Sequence, residues 1–301
     1  MIKKVNYLLC LSLIIVSCHK ESAHPGGNNT GGGNTTGGNP TGGSNPGGNN
    51  GGTQPPAGQD KWWKPVAGTS FDWDLDDVTD KDTFTGDVVD IDAFTTPKAI
   101  VDKLHAQGKK VIAYLSVGTL ENDRPDANLL PPEVIGKVYP EWPDERFVDI
   151  RQIDKLKPWL TSRFNMIAAK GFDGIEPDNV DSYSNKPGFD ITLADAEKYI
   201  DYLITTAHGY GLSIGQKNIS EITKDYAVKF DWALTEDAFQ QGWQNDMSPY
   251  IALKKPVFTV EYTDETSQST FDTKVCPAAK KIGFTAILKK RDLSPWVSKC
   301  N

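Results

Sequence analysis

The chain has 301 residues, with 32 Lys and Arg against 40 Asp and Glu, for a formal net charge of −8. The first 59 residues hold only Lys3, Lys4, Lys20 and Glu21, so the remainder carries 29 basic and 39 acidic side chains, a net −10. That balance argues against nucleic acid or an anionic membrane surface as partner and favours a neutral or cationic ligand. Beyond residue 59 the only histidines are His105 and His208, and there is no CxxC or HExxH pattern, so no metal site and no cofactor is expected.

Residues 1–17 read as an export signal. Lys3 and Lys4 precede the apolar run Val5–Val16, which is too short to span a bilayer comfortably. The run ends Ile15-Val16-Ser17-Cys18, which resembles the lipobox of bacterial lipoproteins. That resemblance implies cleavage before Cys18, lipid on its sulfur, and an envelope protein held at the outer membrane or cell surface. An ordinary secretory signal with an incidental cysteine is the alternative. Residues 18–59 are Gly, Asn, Thr and Pro with little charge. Such a segment buries too little apolar surface to offset its chain entropy, so it reads as a disordered tether reaching on the order of 30–35 Å.

From Asp60 onward, one domain is expected over 60–301. SFDWDLD (70–76) alternates Phe71, Trp73 and Leu75 with Asp72, Asp74 and Asp76, the latter a solvated strand face. Further strands are read at 87–92, 110–117, 172–176, 212–218, 230–236, 256–262 and 284–290, the fourth stopping before Pro177. Helices are read at 97–108, at 150–171 with Pro158 inside, and at 192–211 behind a Thr192 cap, with helix-like segments at 246–254 and 270–282. Eight short strands with helical returns imply a (β/α)8 barrel, a monomer after its tether. Segment 118–150 reads as a long polar loop, and 77–86 is short for a helix. In an exported protein Cys276 and Cys300 would pair, worth about 3 kcal/mol; two unpaired thiols are the other reading.

Barrel chemistry gathers at strand C-termini. That rule collects Asp92, Ser116, Glu176, Asp178, Lys217, Asn218, Glu236, Glu261 and Tyr262, with Asp181 just beyond the fourth strand. There is no nucleophile elbow and no phosphate-binding glycine loop. Glycoside cleavage needs what remains: one carboxyl to protonate the leaving oxygen and a second to attack the anomeric carbon or activate water. Trp62, Trp63, Trp73 and Trp142 offer flat faces for sugars, or belong to the core.

The motifs AYLSVGTLENDRPDA (113–127), EWPDERFVDIR (141–151), KGFDGIEPDNVDSY (170–183), AHGYGLSIGQKN (207–218), FDWALTEDAF (230–239) and KPVFTVEY (255–262) together resemble glycoside hydrolase family 114, the endo-α-1,4-polygalactosaminidases. The resemblance implies a (β/α)8 barrel, a retaining mechanism and a galactosamine polymer as substrate. It also implies Asp178 as nucleophile and Glu236 as general acid/base, with Glu176 the competing nucleophile. Trp73, Tyr114, Glu121, Arg124, Asn179 and Asp181 join Glu176 and the other strand-end residues as substrate-binding candidates. Two departures stand out: Thr235-Glu236-Asp237-Ala238 replaces the family's Asn-Glu-x-Cys, and SFDWDLD replaces a glutamine-rich first strand. An acidic cleft would attract a polymer of ammonium-bearing sugars. Neighbouring carboxylates would also help keep one catalytic carboxyl protonated. Two other readings remain: a barrel glycosidase for a different glycan, and a non-catalytic carbohydrate-binding lipoprotein.

Overall fold

Alternating apolar strands and amphipathic returns wrap residues 61–300 into a barrel; these are the residues that the computed structural model describes. The export signal, Cys18 and the tether lie outside the described residues. The strands are β1 (Phe71–Asp74), β2 (Val88–Asp92), β3 (Lys110–Ser116), β4 (Thr119–Glu121), β5 (Ile135–Tyr139), β6 (Trp142–Val148), β7 (Gly174–Asp178), β8 (Ser213–Lys217), β9 (Trp232–Glu236), β10 (Val257–Tyr262), β11 (Thr285–Lys289) and β12 (Val297–Lys299). Eight of them run parallel in the order β1-β2-β3-β7-β8-β9-β10-β11, and β12 adds antiparallel to β11. The barrel is nearly closed. At its seam, Leu75 N–H donates to Leu293 O at 3.0 Å and Thr285 Oγ1 donates to Thr69 O at 2.9 Å.

The long return helices are α1 (Lys98–Ala106), α2 (Ile153–Lys170) and α3 (Leu193–Gly209). Shorter ones are α4 (Thr223–Tyr226), α5 (Ala238–Gln241), α6 (Ser248–Ala252), α7 (Gln268–Thr270) and α8 (Cys276–Ile282), the last two joined through a π turn at Phe271–Val275. A reciprocal capping box between Thr192 and Asp195 starts α3. A bridge joins Cys276 at the start of α8 to Cys300 just after β12.

Two apolar layers result from the period-two alternation of the strands. Val89, Ile91, Ala113, Leu115 and Ile175 face the helices, while Phe71, Trp73, Val88, Ile112, Trp232, Leu234, Phe258, Val260, Tyr262 and Ile287 fill the barrel. Gly215 on β8 leaves the space that the Trp232 ring occupies; an added Cβ would come within 2.4 Å of it. The inward parity continues upward through Asp90, Tyr114, Glu176, Lys217 and Glu236. Polar chemistry therefore sits on top of a greasy floor.

Several expectations need correction. Segment 118–150 is not irregular: β4, β6 and β5 form an antiparallel sheet, in that order, with Tyr139 facing Trp142 across a Pro140-Glu141 turn. Polar residues hid these strands because one face of the sheet is exposed. The fourth barrel strand runs two residues past its expected end, through Pro177 to Asp178. β8 pairs with β7 only at Gly174 and Ile175, so the missing proline N–H falls beyond the last bond on that side. Pro158 sits inside α2 (Ile153–Lys170) without breaking it, and, as the short 77–86 segment implied, no helix forms between β1 and β2. Asp72 and Asp74 are buried, not solvated. Asp72 accepts from the N–H groups of Thr85 and Gly86 and pairs with Lys299.

Candidate active site

Three strand ends build the site, and each turns sharply just beyond its acid or base. Asn179, Asn218, Ile219 and Asp237 all have left-handed backbones, with φ of 63°, 51°, 46° and 51°. Non-glycine residues pay for that conformation, a β-branched isoleucine most of all, and such strain collects where geometry matters more than stability. Gly118 is glycine because the turn of Asn179 passes over it. A Cβ there would lie 1.6 Å from Asn179 O.

Lys217, at the end of β8, is the hub. Its Nζ lies 2.6 Å from Glu176 Oε1, 3.2 Å from Asp178 Oδ1 and 3.3 Å from Glu236 Oε2. Burial opposes its charge, but these three carboxylates outweigh burial and hold its pKa well above that of an ordinary lysine. Below it lies Trp73, whose ring centre is 4.7 Å from Nζ, a cation–π support.

The three acids are not equivalent. The Glu176 side chain is 0% exposed, whereas those of Asp178 and Glu236 are 20% and 26% exposed. Glu176 is therefore sealed beneath the other two, and only Asp178 and Glu236 open to a ligand. Asp178 Oδ2 accepts from Tyr114 OH at 3.0 Å and from Asn179 Nδ2 at 3.4 Å. Glu236 accepts from Tyr262 OH at 2.5 Å and from Asn218 Nδ2 at 3.0 Å. Burial raises the Glu236 pKa, but Lys217 and the bonds from Tyr262 and Asn218 reverse this and leave it below the ordinary range. The expectation that neighbouring acids keep this carboxyl protonated does not hold for Glu236 in the free site: its donors outnumber its repellers.

Two raised carboxyls stand near this pair. Asp181 is lifted to about 6 by burial and then by the charge of Asp178. Glu145, on β6, is lifted to about 7, chiefly by burial, while accepting from Thr119 Oγ1. Tyr139, at the tip of β5, has its phenol raised by burial and by the charges of Glu141, Asp181, Asp178 and Glu236. Sequence reading passed over Tyr139, Glu145 and Thr119 because their segment looked like loop. It also passed over Asp90, whose signal was present: a charge at an inward position in the middle of an apolar strand.

Other expected site residues lie elsewhere or serve one another. Asp92 accepts both guanidinium nitrogens of Arg124, at 3.1 and 2.6 Å, and the N–H groups of Phe94 and Thr95. Arg124 also pairs with Glu121, so these three form their own buried cluster. Ser116 bonds Thr119 and accepts from Asn179, bracing the strand-four turn. Glu261 faces away from the barrel interior and takes the Phe239 and Gln240 N–H groups at 3.0 Å each, anchoring α5 instead of lining the mouth. Trp73 is 1% exposed and offers no face to a sugar. Trp62 stacks on His208 and bonds Asp231 just before β9, at the opposite end of the barrel, whereas Trp142 is exposed on the hairpin.

A parallel barrel that gathers two partly exposed carboxylates around one lysine at its C-terminal mouth has the kind of site on which glycoside hydrolases are built. Residues 52–301 match the model of glycoside-hydrolase family GH114, and the chain belongs to that family. The crystal structure of Aspergillus fumigatus Ega3 in complex with galactosamine is similar with a TM-score of 0.73 and 31% identity, covering 79% of this chain and 97% of that one. The glycoside hydrolase domain of PelA from Pseudomonas aeruginosa shares the fold at 15% identity, with a TM-score of 0.60 over 76% of this chain and 98% of that one. No curated protein matches the chain.

Proposed function

We propose that this glycoside hydrolase cleaves internal α-1,4 linkages of a galactosamine-containing polysaccharide, with Asp178 as nucleophile and Glu236 as general acid/base. One observation carries the assignment: Asp178 and Glu236 are the two carboxylates of the lysine hub that open to a ligand. Their shared partner caps the separation of the two facing oxygens at the sum of its contact distances, about 6.5 Å, which favours the close retaining arrangement over the wider inverting one. In the first step Asp178 attacks the anomeric carbon while Glu236 gives its proton to the departing oxygen. In the second, Glu236 takes a proton from water, which releases the sugar from Asp178.

The sugar follows from the neighbour that binds galactosamine and from the charge of the mouth. Asp178, Asp181, Glu236 and Glu145 gather near it, a field that draws in ammonium-bearing sugars. Residues 1–17 serve as a lipoprotein signal, Cys18 carries the lipid, 18–59 tether the domain, and 60–301 act as a monomer at the cell surface. The low pKa of Glu236 favours a second assignment with the two roles exchanged.

The test is product analysis by mass spectrometry after incubating the protein with partly deacetylated α-1,4-galactosamine polymer. Internal oligomers with free amines support the reading; intact polymer that stays bound would point to a carbohydrate-binding role. A slow fluorinated substrate that labels Asp178 supports the assignment, and label on Glu236 exchanges the roles. Removal of residues 1–59 is expected to leave turnover of soluble polymer unchanged; lost turnover would move the domain boundary.

A further inference from the structure

Beneath the hub lies a carboxyl that the reaction as written does not use. Asp90, in the middle of β2, is 0% exposed and shares the inward parity of Val88. Neither of its oxygens receives a hydrogen bond from a protein N–H or O–H group, and neither does Glu176 Oε2. Yet the carboxyls of Asp90 and Glu176 meet side chain to side chain. Two ionised carboxylates in contact there would repel, and Lys217, bound to the far oxygen of Glu176, leaves the three facing oxygens without a donor. One proton between them removes both problems: it turns a repulsion into a charge-assisted O–H···O bond.

We propose that Asp90 is a positioning residue that shares one buried proton with Glu176 and so holds Lys217 in place against Asp178 and Glu236. The inference rests on the reading of those two as the catalytic pair. With the proton on one oxygen, Glu176 presents its other oxygen to Lys217 at 2.6 Å. The charged groups facing Asp90 are Glu176 and Asp178 from β7 and Lys217 from β8; its strand neighbours Trp73 and Ile112 carry none. Asp92, on its own strand, is taken up by Arg124. Burial, followed by the charge of Glu176, raises Asp90 well above an ordinary carboxyl.

A carboxyl whose folded pKa is raised keeps its proton in the folded state after the unfolded chain has lost it, so stability falls as pH rises above about 4. Replacing Asp90 by asparagine supplies a permanent donor and removes that titration.

The experiment follows thermal unfolding from pH 5 to 8 in the full chain for wild type, Asp90→Asn and Asp90→Ala, alongside kcat and KM on galactosamine polymer. Asp90→Asn is expected to flatten the fall of Tm by up to about 3–5 °C per pH unit, the weight of one proton in a domain of this size. On turnover, Asp90→Ala is expected to lower kcat about tenfold or more with KM little changed, and Asp90→Asn to restore most of the loss. A Tm slope identical in wild type and Asp90→Asn overturns the shared proton. An alanine variant with wild-type kcat overturns the positioning role. Because the unfolding arm needs no substrate, failure to find the right glycan leaves it readable, and it stands on Asp90→Asn alone if Asp90→Ala does not fold.

Discussion

Asn218 and Glu236 bond each other twice: the Glu236 N–H donates to Asn218 Oδ1 at 2.9 Å, and Asn218 Nδ2 donates to Glu236 Oε2 at 3.0 Å. The clasp joins the end of β9 to the residue just past Lys217, so the acid on one strand and the lysine on its neighbour are set by one amide. Asn218 manages this with a left-handed backbone, which asparagine tolerates better than most residues. Asn218→Ala should lower kcat more than it raises KM, by about tenfold, because the amide aims Glu236 and does not hold the sugar. Steady-state kinetics on the polymer checks it; a pure KM effect would assign Asn218 to binding.

Glu236→Gln keeps the shape of the side chain and removes its proton chemistry. Loss of a general acid/base predicts kcat lower by about 10²–10⁴, with binding of the polymer retained. Turnover equal to wild type would remove Glu236 from the reaction.

Tyr262→Phe deletes the hydroxyl that stabilises the Glu236 anion. If Glu236 must be protonated to act, kcat/KM of the free enzyme declines as pH rises through its pKa, which is lowered here. Losing one hydrogen bond raises that pKa by about half to one unit, so the alkaline limb moves to higher pH by that amount. Stability follows the same sign. A lowered carboxyl contributes stability that is present above its unfolded pKa and lost as pH falls through the folded value, so Tyr262→Phe loses that part near neutrality and less of it in acid. An acid limb that moves in its place would mark Glu236 as the nucleophile.

Lys217→Met removes the single cation among three carboxylates. Breaking such a buried set costs about 3–5 kcal/mol near neutral pH, and acidification recovers part of it as the acids take up protons. Denaturant melts at pH 5 and 8 separate the two conditions. Lys217→Arg is not expected to rescue, since a planar fork does not fit a point with three partners.

Reduction of the Cys276–Cys300 bridge frees the C-terminal strand from α8. The expected loss is about 3 kcal/mol, or about 6–12 °C in Tm, with turnover at low temperature retained because the bridge touches none of the hub residues. Unfolding scans with and without reductant measure it.

Much of the architecture is legible in the chain. The alternating run at 70–76 and the apolar run at 110–117 mark barrel strands, the second because a strand buried on both faces is apolar throughout. GFDGIEPDN announces its acids for the opposite reason: charges placed where such a strand ends have no packing role to explain them. The β4–β6–β5 sheet escaped because an exposed antiparallel hairpin has no apolar signature, and Tyr139 and Glu145 escaped with it.

By itself, then, the sequence determined the barrel class, the family and the strand-end acids Glu176, Asp178 and Glu236, since alternation and strand-end position are local properties of the chain. Only the tertiary structure separates the acids by depth and pairing. Glu176 and Asp178 are two residues apart on one strand with the same parity, and nothing local separates them. The difference arises from depth, because Lys217 and Asp90 arrive from other strands to seal Glu176, while Asp178 is left at the rim. Burial and charge pairing are sums over neighbours distant in sequence, and those neighbours exist only once the barrel has closed.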